Sequence, residues 1–112
     1  MVTVFRSVSR AAFCCCVAGV LVLSLTPPQL GPLPLATWDK ANHALAFAVM
    51  GLWGAAGWPT GFRTVLALLM AYGWTIEVLQ FFIPTRSADA ADVLADAVGL
   101  LMAWLIVRLK TA

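Results

Sequence analysis

Charge is what this sequence has least of. Of its 112 residues, 11% are Asp, Glu, Lys or Arg and 62% are hydrophobic, whereas a soluble domain carries about 25% charged and roughly 45–50% apolar residues. A folded chain of this size keeps about a third of its unfolded surface exposed. Seven Lys and Arg with five Asp and Glu cannot cover that surface in water. With a mean hydropathy of +0.94, the implied solvent is a bilayer. Basic runs and basic patches interleaved with aromatics are also missing, which leaves no basis for a nucleic-acid partner. The three cysteines, Cys14, Cys15 and Cys16, are consecutive. Adjacent helical positions point in different directions, so no disulfide framework is expected. No serine elbow, His-Glu-x-x-His or closely spaced ligand set is present, so neither a cofactor nor a metal is expected. The length leaves no room for an extramembrane module, and any activity must lie in or at the membrane.

What is there is four apolar segments separated by proline. They predict an all-α fold, a single membrane domain over residues 1–112 with transmembrane helices at about 8–26, 39–58, 63–83 and 87–109. The first stops at Thr26-Pro27-Pro28, because proline lacks a donor and clashes with a continuing helix. Arg6 and Arg10 before an apolar run invite a signal-peptide reading. However, the following TPPQL offers no small-x-small cleavage site, and Phe13 stands where a lipoprotein signal would carry a small residue, so an uncleaved first span is expected. The second segment ends at the turn signal Gly57-Trp58-Pro59-Thr60-Gly61 and the third at Pro84. Ser87 is the expected N-cap of the fourth, with Asp89 in its first turn. Short connections make the helices alternate in direction. With both termini cytoplasmic, that side holds Arg6, Arg10, Arg63, Arg108 and Lys110, and the outer side only Lys40 and Arg86, which favours an N-in, C-in orientation. Trp38, Trp58 and Trp104 fall near the span ends, where amphipathic rings anchor.

The polar residues gather at one depth. Asp39, Lys40 and His43 open the second helix, Glu77 and Gln80 close the third, and Asp89, Asp92 and Asp96 follow Arg86 into the fourth. At 100° per residue, His43 shares a stripe with Asp39, Phe47, Met50 and Gly54. Gly73, Glu77 and Gln80 form a second stripe, and Asp89, Asp92, Asp96, Gly99 and Ala103 a third. An ionisable group facing lipid costs on the order of 2.5–3.5 kcal/mol, so these faces are expected to meet inside the bundle. Ala91, Ala95, Gly99 and Ala103 recur every four residues, a spacing that permits close helix packing and offers a face for a homo-oligomer. Five acids against Lys40 and Arg86 leave a negative surplus at this end. Protonation of Glu77 or Asp96, a bound cation or a cationic headgroup would offset it.

The stretches WDKANHALAFAVMGLWG and EVLQFFIPTRSADAADVLADAVGLLMAW, about residues 38–104, resemble the VanZ-like family of small bacterial membrane proteins. In that family an Asp-Lys pair precedes a His by three residues, a Glu-x-x-Gln closes a later helix, and an Arg stands six before an Asp followed by Asn or Asp and then Gly. The matching positions are Asp39, Lys40, His43, Glu77, Gln80, Arg86, Asp92, Asp96 and Gly99. The sequence departs from the pattern at Ile76, where the family often carries an acid before the Glu, and at Asp96, where it often carries Asn. The resemblance implies a multi-pass protein of the bacterial inner membrane. Through the family's namesake it also implies a link to low-level glycopeptide resistance of the teicoplanin type.

Four functions compete for the cluster. One is an outer-leaflet pocket that binds membrane lipid, a lipid-linked envelope precursor or a surface-acting drug. In it Lys40 and Arg86 would meet phosphate, and Glu77, Gln80 and Asp92 would select polar groups. Another is a membrane-embedded enzyme using His43 and Glu77 as acid and base, with a divalent metal on Asp92, Asp96 and Glu77 as its variant. Proton or ion transport through Glu77 and Asp96 is a third, although polar residues fade toward the inner half of the helices. A structural or assembly role is the fourth.

Overall fold

Runs without charge or proline leave backbone amides in lipid no partner but one another, which favours helix. In a computed structural model of the chain, described for residues 1–26, 39–83 and 89–111, such runs form four α-helices. These are α1 (Val2–Leu25), α2 (Asp39–Gly57), α3 (Phe62–Phe81) and α4 (Ala90–Thr111), with a 3₁₀ turn at Pro59–Gly61 before α3. No strand occurs among the described residues. The side chains of Asp39, Lys40 and Thr111 lie outside the description, as do Trp38, Arg86 and Ser87, so the expectations placed on them are neither met nor refuted.

Three segments, Val2–Leu25, Pro59–Phe81 and Ala90–Lys110, are long and apolar enough to cross a membrane. The sequence reading expected four. The helix α2 forms but falls short because Asp39, Lys40, Asn42 and His43 crowd its first two turns. Two boundaries also move. The first helix begins at Val2, six residues before the predicted start, and so carries Arg6 and Arg10 within it. The last begins at Ala90, where Asp89 Oδ1 accepts the Ala91 N–H at 2.9 Å. A carboxylate there faces the positive end of the helix dipole.

The helices run alternately up and down. Arg10 near the start of α1 reaches the last residue of α2, where its Nε donates to the Gly57 carbonyl at 2.8 Å and its guanidinium lies 5.2 Å from the Trp58 ring. A final-turn carbonyl has no partner within its own helix, and a cation suits it. A Cβ on residue 57 would come within 2.9 Å of Arg10 Cγ, so glycine is what admits the side chain. The most extensive packing is between α2 and α4, which run parallel. Gly99 sits against the Ala44 carbonyl, and a Cβ on Gly51 would come within 2.7 Å of Ala103 Cβ. Two of the four positions in the small-residue stripe, Gly99 and Ala103, thus pack inside the chain. Phe47, Met50, Val65, Leu69 and Leu100 form the core, with Phe13, Val17 and Val20 of α1 against it. The bundle is 45 Å long, comparable with the ~40–45 Å of a bilayer including its headgroups.

Candidate functional site

The end of the bundle formed by the start of α2, the end of α3 and the start of α4 holds the buried polar side chains. His43, Glu77 and Gln80 are 9%, 8% and 2% exposed, and Asp92 and Asp96 are each 1% exposed. Polar groups so buried need partners. His43 Nδ1 lies 2.8 Å from Asp96 Oδ1, with the ring N–H donating to the carboxylate across the α2–α4 seam. That pairing depends on glycine: a Cβ at Gly73 would stand 2.7 Å from Asp96 Oδ2 and 3.4 Å from Phe47. The notch it leaves in α3 is the space the carboxylate occupies.

Glu77 accepts the backbone N–H of Asp89 at the entrance to α4. Its carboxylate therefore ties the end of α3 to the start of α4 and lies within electrostatic reach of Asp92 and His43. Gln80 turns the other way. Its Nε2 donates to the Ser24 carbonyl at 2.8 Å, satisfying one of the orphan acceptors in the last turn of α1. Its Oε1 has no hydrogen-bond partner among the described residues. About two turns deeper, the Tyr72 hydroxyl donates to the Val17 carbonyl.

The arrangement brings five of the expected residues together, His43, Glu77, Gln80, Asp92 and Asp96. Asp89 is exposed at the rim. Asp39 and Lys40 are placed only by backbone, in the first turn of α2. Two participants escaped the sequence reading, Ser24 and Tyr72. The first contributes a backbone carbonyl, which no pattern of side chains reveals. The second is the sole tyrosine of the chain, a polar tip in an otherwise apolar stretch, and that singularity was the available signal.

Beside the cluster lies a groove of about 330 Å³ walled by Trp74, Val78, Phe81, Phe82 and Ala90, with Glu77 as its acidic side chain. Among the described residues no three of His, Cys, Asp and Glu stand where they could jointly hold a metal ion, so Asp92, Asp96 and Glu77 are not gathered as a ligand set. Chemically, the site offers an imidazole oriented by a carboxylate, a second carboxylate at the edge of an apolar groove, and a carboxamide.

No curated protein and no solved structure matches the chain. The three long apolar helices suggest a membrane protein. The family model described as VanZ/LLP1 matches residues 3–111, nearly the whole length, and the chain belongs to that family.

Proposed function

We propose that this is a four-span protein of the bacterial inner membrane with both termini in the cytoplasm. Its outer polar end binds the headgroup of a lipid or lipid-linked envelope molecule, and through that binding the protein contributes to tolerance of glycopeptides of the teicoplanin type. One observation carries the reading: an apolar groove of about 330 Å³ has Glu77 in its lining, and Glu77 belongs with the buried His43, Gln80, Asp92 and Asp96. An amphiphile needs that combination of an apolar wall for its chain and polar groups for its head. Lys40 and Arg86 supply the phosphate contacts and offset the surplus of acids.

The test is binding of a lipid-linked cell-wall precursor to purified protein carrying Arg86→Gln or Glu77→Gln, with thermal melting alongside. Binding should weaken about tenfold or more, the ~1.5–3 kcal/mol of a charged hydrogen bond, while the melting temperature of Arg86→Gln holds. Equal loss of stability in both variants with unchanged binding would make the cluster an internal brace.

A second reading has its own support in the His43–Asp96 pair. A base oriented at Nδ1 by a buried carboxylate is the arrangement that general acid–base catalysis uses, which favours an enzyme acting on the same headgroup. Asp96→Asn should then abolish turnover of a bound precursor while leaving its affinity within about twofold. Absence of any product from the wild-type protein would discard this reading.

A further inference from the structure

We propose that the opposite, basic end of the bundle holds an anionic phospholipid, with its acyl chain between α1 and α3 and its phosphate at Arg63. Two adjoining cavities of unlike character support this. The larger, about 500 Å³, is walled chiefly by Phe13 and Val17 of α1 and by Val65, Leu68 and Tyr72 of α3, a size within the ~300–1,000 Å³ of small-ligand sites. From Thr64 to Tyr72 it follows α3 for about 12 Å at 1.5 Å per residue, and at its far end Tyr72 bridges to the Val17 carbonyl. The smaller, about 280 Å³, presents Thr60, Arg63 and Trp104. Gly61 and Thr64 line both, so an apolar groove and a cationic recess share a wall at the start of α3.

Charge selects the occupant. Arg10 is engaged by the Gly57 carbonyl and Trp58, and Arg108 lies over the Trp104 ring. Arg63 is exposed and has no hydrogen-bond or ion-pair partner among the described residues. The acids are at the other end: Glu77 is in the penultimate turn of α3, Asp92 and Asp96 are in the first two turns of α4, and Asp39 opens α2. Among the described residues none supplies Arg63 with a counter-charge, which leaves a place for one carried by a bound ligand. At a membrane surface, beside a groove suited to an acyl chain, that is a lipid phosphate with no compensating cation of its own. This site is separate from the outer headgroup site and does not depend on it.

The experiment is native mass spectrometry of the full chain in detergent, titrated with phosphatidylglycerol or phosphatidylcholine. The wild type should retain phosphatidylglycerol preferentially. Arg63→Gln should weaken that retention about fivefold, corresponding to the ~1 kcal/mol of one basic residue near a lipid phosphate, and remove the preference. Arg6→Gln, the same charge change at an exposed position outside both cavities, should leave it intact. Leu68→Trp, which fills the groove from a residue 64% exposed, should block both lipids without lowering the melting temperature. Equal retention of the two lipids by the wild type, or equal loss in Arg6→Gln and Arg63→Gln, overturns the proposal. So does full retention in Leu68→Trp.

Discussion

At the scale of single residues, glycines decide how closely the polar groups can approach. A Cβ at Gly99 would collide with the Ala44 carbonyl oxygen and stand 3.0 Å from the Ala48 amide nitrogen. Both are backbone, so α2 itself would have to move. Overpacking costs about 1–3 kcal/mol, and Gly99→Ala should lower the stability by that order, seen as a drop in the melting temperature in detergent. At Gly73 the obstructing atom is the end of a side chain, Asp96 Oδ2, which can turn aside. Gly73→Ala should therefore cost less stability but break the His43–Asp96 hydrogen bond, seen as a shift of the His43 imidazole resonances. Gly19 has nothing within 4 Å of an added Cβ, and Gly19→Ala should leave both readouts unchanged. If Gly99→Ala melts like Gly19→Ala, the α2–α4 contact is wrong.

At the scale of elements, the hydrogen bonds from α3 to α1 end on backbone carbonyls rather than on side chains. Gln80 and Tyr72 donate to Ser24 and Val17, and Arg10 closes α2 at Gly57. Hydrogen bonds between helices in membranes contribute about 0.6 kcal/mol on average and up to ~1.7. Tyr72→Phe and Gln80→Leu should each lower stability within that range, and together they should raise the mobility of a spin label on the exposed Val22. An unchanged spectrum in the double variant would show that apolar packing alone holds α1. The helices were legible as apolar runs bounded by proline. The start of α4 was not, because Ser87 and Asp89 are both good caps and only packing decides between them; Glu77 accepting the Asp89 N–H favours the later start.

At the scale of the whole molecule, the charges separate into two ends. Arg10, Arg63 and Arg108 belong to the end with Trp58 and Trp104, and the buried acids to the other. Lys and Arg bias a loop toward the cytoplasm, so reporters fused at either terminus should both report the cytoplasmic side. Gln at Arg63 and Arg108 together should weaken that bias. A reporter active outside at one terminus would show that an odd number of helices cross, and α2, with its polar first turns, is the one to suspect.

The sequence by itself pointed to the bilayer as solvent, the helical class and the stripe on which each polar residue lies, because these follow from composition and from a period of 3.6 residues; the family showed in the motifs between Trp38 and Trp104. It placed His43, Glu77, Gln80, Asp92 and Asp96 at one level. Only the tertiary structure decided the pairings. His43 meets Asp96 because glycines at 73 and 99 let three helices close around them, Gln80 turns away to the Ser24 carbonyl, and Glu77 spends its carboxylate on a backbone amide. Such choices depend on distances of a few tenths of an ångström between elements distant in the chain, and no pattern within one helix carries that information.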